Sequence, residues 1–125
     1  MGRILALDFG TKRIGVALSD ESKKIAFMAD YVSTDQKQKL IELLQEKKVE
    51  KIILGLPKNL AGNETKSAEA VRDFGDWLED ETKLPIEYID ERLTTKELSK
   101  QGIPREELDS AVAQHMLQRY LDSKF

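Results

Sequence analysis

The stretch Ile4-Leu5-Ala6-Leu7-Asp8-Phe9-Gly10-Thr11-Lys12-Arg13-Ile14-Gly15-Val16-Ala17-Leu18 decides how this chain folds. Its first four residues form an apolar run of the kind found in a buried central strand. A polar turn over Gly10 to Lys12 separates it from a second apolar run, Ile14 to Leu18, and makes the two a hairpin. The costly residue is Asp8. An ionised carboxylate at the end of a core strand loses several kcal/mol without a partner, or its pKa rises. A cation, a hydrogen-bond cage or a metal must therefore meet it; amides of its own turn are the plainest such cage.

Working outward, Lys24 to Tyr31 reads as a third extended run, so the chain opens on an antiparallel meander. Ser33-Thr34-Asp35 offers N-cap groups for a helix from Gln36 to Lys48 with Leu40, Ile41 and Leu44 on one stripe. Val49 to Leu56 is apolar nearly throughout, as a parallel strand covered on both faces should be. It stops at Pro57. The loop Lys58 to Asn63 then lies at a strand's carboxyl end, where open α/β sheets place ligands. A helix from Glu64 to Glu81 turns Ala68, Val71, Phe74 and Leu78 inward, and Ile86 to Ile89 is a further strand ending in Asp90-Glu91-Arg92. Thr94 and Glu97 form a capping box for a short helix ending near Gly102. After Ile103-Pro104 a last helix runs from Arg105 to Asp122. The order β-β-β-α-β-α-β-α-α indicates an α/β fold: a mixed five-stranded sheet with helices on both faces.

The 125 residues, 14.2 kDa, are expected to form one domain spanning 1–125. With no cysteine, disulfides, thiolate metal sites and cysteine nucleophiles are excluded. The N-terminus runs straight into a strand, and no apolar stretch reaches membrane-spanning length, so a cytoplasmic protein without a membrane partner is expected. A net charge of −3 argues against a surface that is basic all over, so any nucleic acid needs a local basic patch.

Placing Asp109 at zero on a helical wheel puts Val112, Ala113, Met116, Leu117 and Tyr120 within about 80° of it, so this acid sits on the face to be buried. Asp8, Glu91 (or Asp90) and Asp109 then share a pattern, each next to the same sheet. Converging carboxylates repel unless cations lie between them, and Mg²⁺ or Mn²⁺ suits oxygen donors. Two such ions can activate a water and stabilise the leaving oxygen of a phosphoryl displacement. Each acid alone has a blander reading: Glu91 pairs with Arg92 or Lys96, and Asp109 answers the helix dipole. Only the coincidence of all three favours a metal. The single His115 falls at the rim of the stripe as a packing residue and cannot build a zinc site. Trp77, beside Phe74 and Leu78, is expected to pack rather than stack on bases. Lys12, Arg13, Lys58, Arg92 and Lys96 all fall near strand ends, where they can steer phosphates.

Four segments, Leu7 to Ala17, Gly55-Leu56-Pro57-Lys58-Asn59 with Gly62, Asp90-Glu91-Arg92-Leu93-Thr94-Thr95, and Asp109-Ser110-Ala111, closely resemble the YqgF/RuvX family. The resemblance implies an RNase H-like fold and a nuclease that trims the 5′ end of precursor 16S rRNA, or a resolvase of four-way DNA junctions. It implies Asp8, Glu91 and Asp109 as catalytic acids and metal ligands. Gly10, Thr11, Lys12, Arg13, Lys58, Asn59 and Arg92 would then line the groove for nucleic acid. Between Thr95 and Asp109 this chain is shorter than the family pattern and lacks its lysines. Asp-x-Gly-Thr before a hairpin also resembles the phosphate-binding turn of the actin and sugar-kinase superfamily, so a non-catalytic nucleotide- or RNA-binding domain is the alternative.

Overall fold

Strands β1 (Arg3–Phe9) and β2 (Arg13–Ser19) pair antiparallel, with Leu7 opposite Val16 and Asp8 opposite Gly15. The computed structural model describes residues 2–57, 66–90, 102–103 and 105–125, with backbone alone at 105 and 106. The Gly10 amide donates to the Arg13 carbonyl at 2.9 Å and closes the turn of the hairpin.

β3 (Ala26–Ser33) completes the meander but begins two residues later than the pattern predicts. The Asp20 carboxylate accepts from the Lys24 and Ile25 amides at 2.8 and 3.0 Å, which commits that segment to a turn. Those bonds and one from the Ser22 hydroxyl pull the Asp20 pKa down to about 2. The N-cap expected among Ser33-Thr34-Asp35 is also corrected. Ser33 makes no side-chain capping bond, and a 3₁₀ turn over Thr34–Gln36 precedes α1 (Gln38–Glu46). Thr34 instead donates its hydroxyl to the Gly10 carbonyl at 2.9 Å and its amide to Lys12 at 3.0 Å. Thr34 thus ties down the hairpin turn.

β4 (Val49–Leu56) joins the other side of β1 in parallel, and β5 (Ile86–Asp90) joins β4 in parallel. Among the described residues the sheet has five strands in the order β3-β2-β1-β4-β5. α2 (Lys66–Thr82) buries Ala68, Val71, Phe74 and Leu78 as its period requires. α3 (Arg105–Lys124) runs two residues past Asp122. Glu64, Thr65, the Thr94–Glu97 capping box and the short helix expected after it lie outside the described residues.

The period of two along β1 divides the core. Leu5 and Leu7 pack with Leu40, Leu44, Val71, Phe74 and Leu78 on the side of α1 and α2. Ile4 and Ala6 pack with Ile53, Ala113, Leu117 and Leu121 on the side of α3. Helices therefore cover both faces, and Asp8 continues the Ile4–Ala6 parity toward α3. No helix among the described residues is long and apolar enough to cross a membrane.

Candidate active site

Gly15 stands opposite Asp8 and against the backbone of Asp109. Paired strand residues lie about 5 Å apart at their Cα atoms, so Asp8 is one strand's width from Gly15. On the α3 side of β2, a Cβ added to Gly15 would overlap the Asp109 carbonyl and the Ser110 amide. The start of α3 therefore rests on bare backbone at the strand position opposite Asp8. A register shift in the β2–β3 pairing falls between Ile14 and Val16, and beside it the Val16 amide donates to Ser110 Oγ at 3.1 Å. Ser110 is buried, and its bond fixes the second turn of α3 to β2.

Asp109 accepts from Arg13 Nε at 3.2 Å, an ion pair whose side chains are 29% and 28% exposed for Arg13 and Asp109. The Arg13 guanidinium also lies over the Tyr31 ring, 5.7 Å from its centroid. Gly10, Thr11, Lys12, Arg13, Leu108 and Asp109 line a groove of about 570 Å³. Thr11 and Lys12 are exposed there, as groups meant for a solvated partner should be.

Glu91, Lys58, Asn59, Arg92 and Lys96 lie outside the described residues. Its neighbour Asp90 is the last residue of β5, opposite Leu56. Ile86 and Tyr88 pack on the α2 side and Ile89 on the α3 side, so Asp90 falls on the parity opposite to Asp8. Asp90 therefore faces away from the side on which α3 packs. Among the described residues no three His, Asp or Glu side chains form a metal-binding group. Asp8 and Asp109 both offer only oxygen donors, the ligand type that a hard divalent cation takes, and Arg13 pairs with one of them, Asp109.

His115 is half-buried on α3, while Trp77 stacks on Phe74 at 5.9 Å, with Lys37 Nζ 4.5 Å from its ring centroid, and packs against the core as expected. Sequence reasoning gave no role to Gly15, Ser110 or Tyr31. Ser110 alone left a signal, since a hydroxyl on the apolar stripe of a helix needs a buried partner.

A mixed sheet of this order, helices on both faces and an acid ending its central strand define an RNase H-like protein. Two structures of Thermus thermophilus RuvC share the fold. The one in complex with a Holliday junction substrate superposes with a TM-score of 0.63 at 13% identity, covering 99% of this chain and 96% of that one. The other gives 0.60 at 12% identity, covering 98% and 95%. At residues 2–123 the sequence matches the model of the RuvX family, described as Holliday junction resolvase, and the chain belongs to that family. A relative from Streptococcus suis is 36% identical, covering 98% of this chain and 99% of its own length. One from Lactococcus lactis subsp. lactis is 40% identical over 97% of this chain and 94% of its own. Both carry the name "Putative pre-16S rRNA nuclease".

Proposed function

We propose that this chain is a divalent-metal-dependent endonuclease of structured nucleic acid that processes the 5′ end of precursor 16S rRNA in the cytoplasm. The observation that carries the reading is the seating of α3 on Gly15, which sets Asp109 beside the strand end that bears Asp8. The two acids come from positions 101 residues apart, 8 and 109, and belong to elements that meet at Gly15. Asp8, Glu91 and Asp109 would hold Mg²⁺ or Mn²⁺, which when bound supplies activation of water and charge stabilisation at the leaving oxygen. Lys12 and Arg13 bind and orient the phosphate in the groove beside Asp109, with Gly10 and Thr11 shaping its floor. Lys58, Asn59 and Arg92 extend the grip on the strand. The 125 residues act as one nuclease domain.

The experiment incubates purified protein with a 5′-extended 16S rRNA precursor in Mg²⁺, in Mn²⁺ and in EDTA. Cleavage with either metal, lost in EDTA and lost in Asp8→Asn, is the expected result. Cleavage that survives Asp8→Asn would refute the assignment. The likeness to the RuvC–junction complex favours a second reading, resolution of four-way DNA, which calls for a symmetric pair of active sites. A synthetic junction assayed beside the RNA, with stoichiometry by sedimentation, separates the two.

A further inference from the structure

Arg13 belongs to both halves of the site. It projects from β2 on the side of α3, two residues before Gly15, and three elements hold it. β2 supplies its backbone, the second turn of α3 supplies the Asp109 carboxylate, and β3 supplies the Tyr31 ring beneath the guanidinium. Both members of the ion pair are more than two-thirds covered, so salt screens it less than a surface pair.

This contact opposes the binding of a cation to Asp109. A carboxylate engaged by a guanidinium has one oxygen committed, and a fixed positive charge beside a cation site raises the energy of any ion placed there. Without Arg13, however, the largely covered Asp109 carboxylate would lose the cation that pairs with it. We infer that Arg13 is a positioning residue: it holds Asp109 as a stand-in counter-ion until a divalent cation takes that carboxylate. The freed guanidinium, kept local by the Tyr31 face, then meets a substrate phosphate in the groove that Arg13 itself lines. Cation and substrate phosphate thereby favour one another, since each draws Arg13 and Asp109 apart. The inference rests on the nuclease reading, because it requires Asp109 to be a cation ligand.

The test titrates Mn²⁺ calorimetrically into wild type, Arg13→Gln, Arg13→Lys and Asp8→Asn, and records thermal melts of each in EDTA and in Mn²⁺. Arg13→Gln should bind Mn²⁺ about threefold to tenfold tighter than wild type while melting lower in EDTA. Its rise in Tm on adding Mn²⁺ should accordingly be larger. Arg13→Lys keeps the charge but not the planar fork, so its affinity should fall between the two. It carries the test by itself if Arg13→Gln does not fold. A purely structural role for Arg13 predicts the reverse, weaker Mn²⁺ binding together with lower stability. If Asp8→Asn abolishes Mn²⁺ binding while the Arg13 variants bind no tighter than wild type, this inference falls and the metal site stands. If wild type binds no Mn²⁺, both fall.

Discussion

A single absent methyl group at Gly15 lets the start of α3 rest on β2 at the position opposite Asp8. Alanine there would drive its Cβ into the backbone of Asp109 and Ser110, which cannot rotate aside as a flexible side chain could. The start of α3 must lift instead. Gly15→Ala should cost about 1–3 kcal/mol in urea denaturation, the range for overpacked sites. It should also cut single-turnover cleavage far below what the lost folded fraction explains, whereas Ile14→Val, about 0.5–1.5 kcal/mol, should leave cleavage intact. Equal effects on cleavage would show that α3 placement does not matter to the chemistry. Ser110→Ala acts at the same joint by orphaning the buried Val16 amide, and should cost about 1–3 kcal/mol. Asp8 was legible because a charge ending an apolar strand violates a local rule. Gly15 was not, since its steric partner lies 94 residues along the chain, at position 109, where no local period reaches.

Among the elements, β3 departs most from its sequence pattern, and its two ends explain why. At its start the Asp20 turn takes the amides of Lys24 and Ile25, so an alternation that continues through those residues overstates the strand. The lowered Asp20 pKa fixes the sign of the acid response. A depressed carboxylate contributes stability that is complete above its unfolded value near 3.8 and disappears as pH falls through about 2. Asp20→Asn should therefore flatten the loss of Tm between pH 4 and pH 2; an unchanged acid limb would exclude this turn as its source. β3 is also an edge strand, and it exposes Phe27, Met28 and Tyr31. Two glutamines of α3 occupy its backbone at Ala26: the Ala26 amide donates to Gln118 at 2.9 Å and its carbonyl accepts from Gln114 at 3.0 Å. Side-chain amides thus take the place of a further strand, a guard against edge-to-edge pairing. The double variant Gln114→Ala/Gln118→Ala should lose about 1–3 kcal/mol and self-associate in sedimentation velocity. A variant that stays monomeric at high concentration would show the guard to be unnecessary. Neither glutamine was readable as functional, because on a helix face such residues look like ordinary solvated surface.

For the whole molecule, order and parity were the legible part. The apolar runs at Ile4 to Leu7 and Ile52 to Leu54 mark the two strands buried on both faces, and the meander and crossover follow from the lengths between them. The assembly of the groove was less legible, since Tyr31, Thr34 and Ser110 act through contacts that no spacing encodes. Charge supplies the remaining constraint. With 23 acidic against 20 basic residues, the chain cannot bind RNA through a general positive surface, so its grip must come from the groove. Lys12 and Arg13 line or flank that groove, and Lys58 and Arg92 are the other proposed contacts, which sets a ceiling of about four phosphates. Each phosphate contact contributes a little under one to the slope of log K against log salt, so two to four contacts should give a slope of about −1.8 to −3.6. Affinity of cleavage-silent Asp8→Asn for precursor rRNA, read by fluorescence anisotropy, should then fall about 10- to 150-fold between 50 and 200 mM KCl. Arg13→Gln in the same background should reduce the slope by about one if Arg13 reaches a phosphate. A slope near −10 would require a basic surface that the composition does not contain, and would place the binding of nucleic acid somewhere other than this groove.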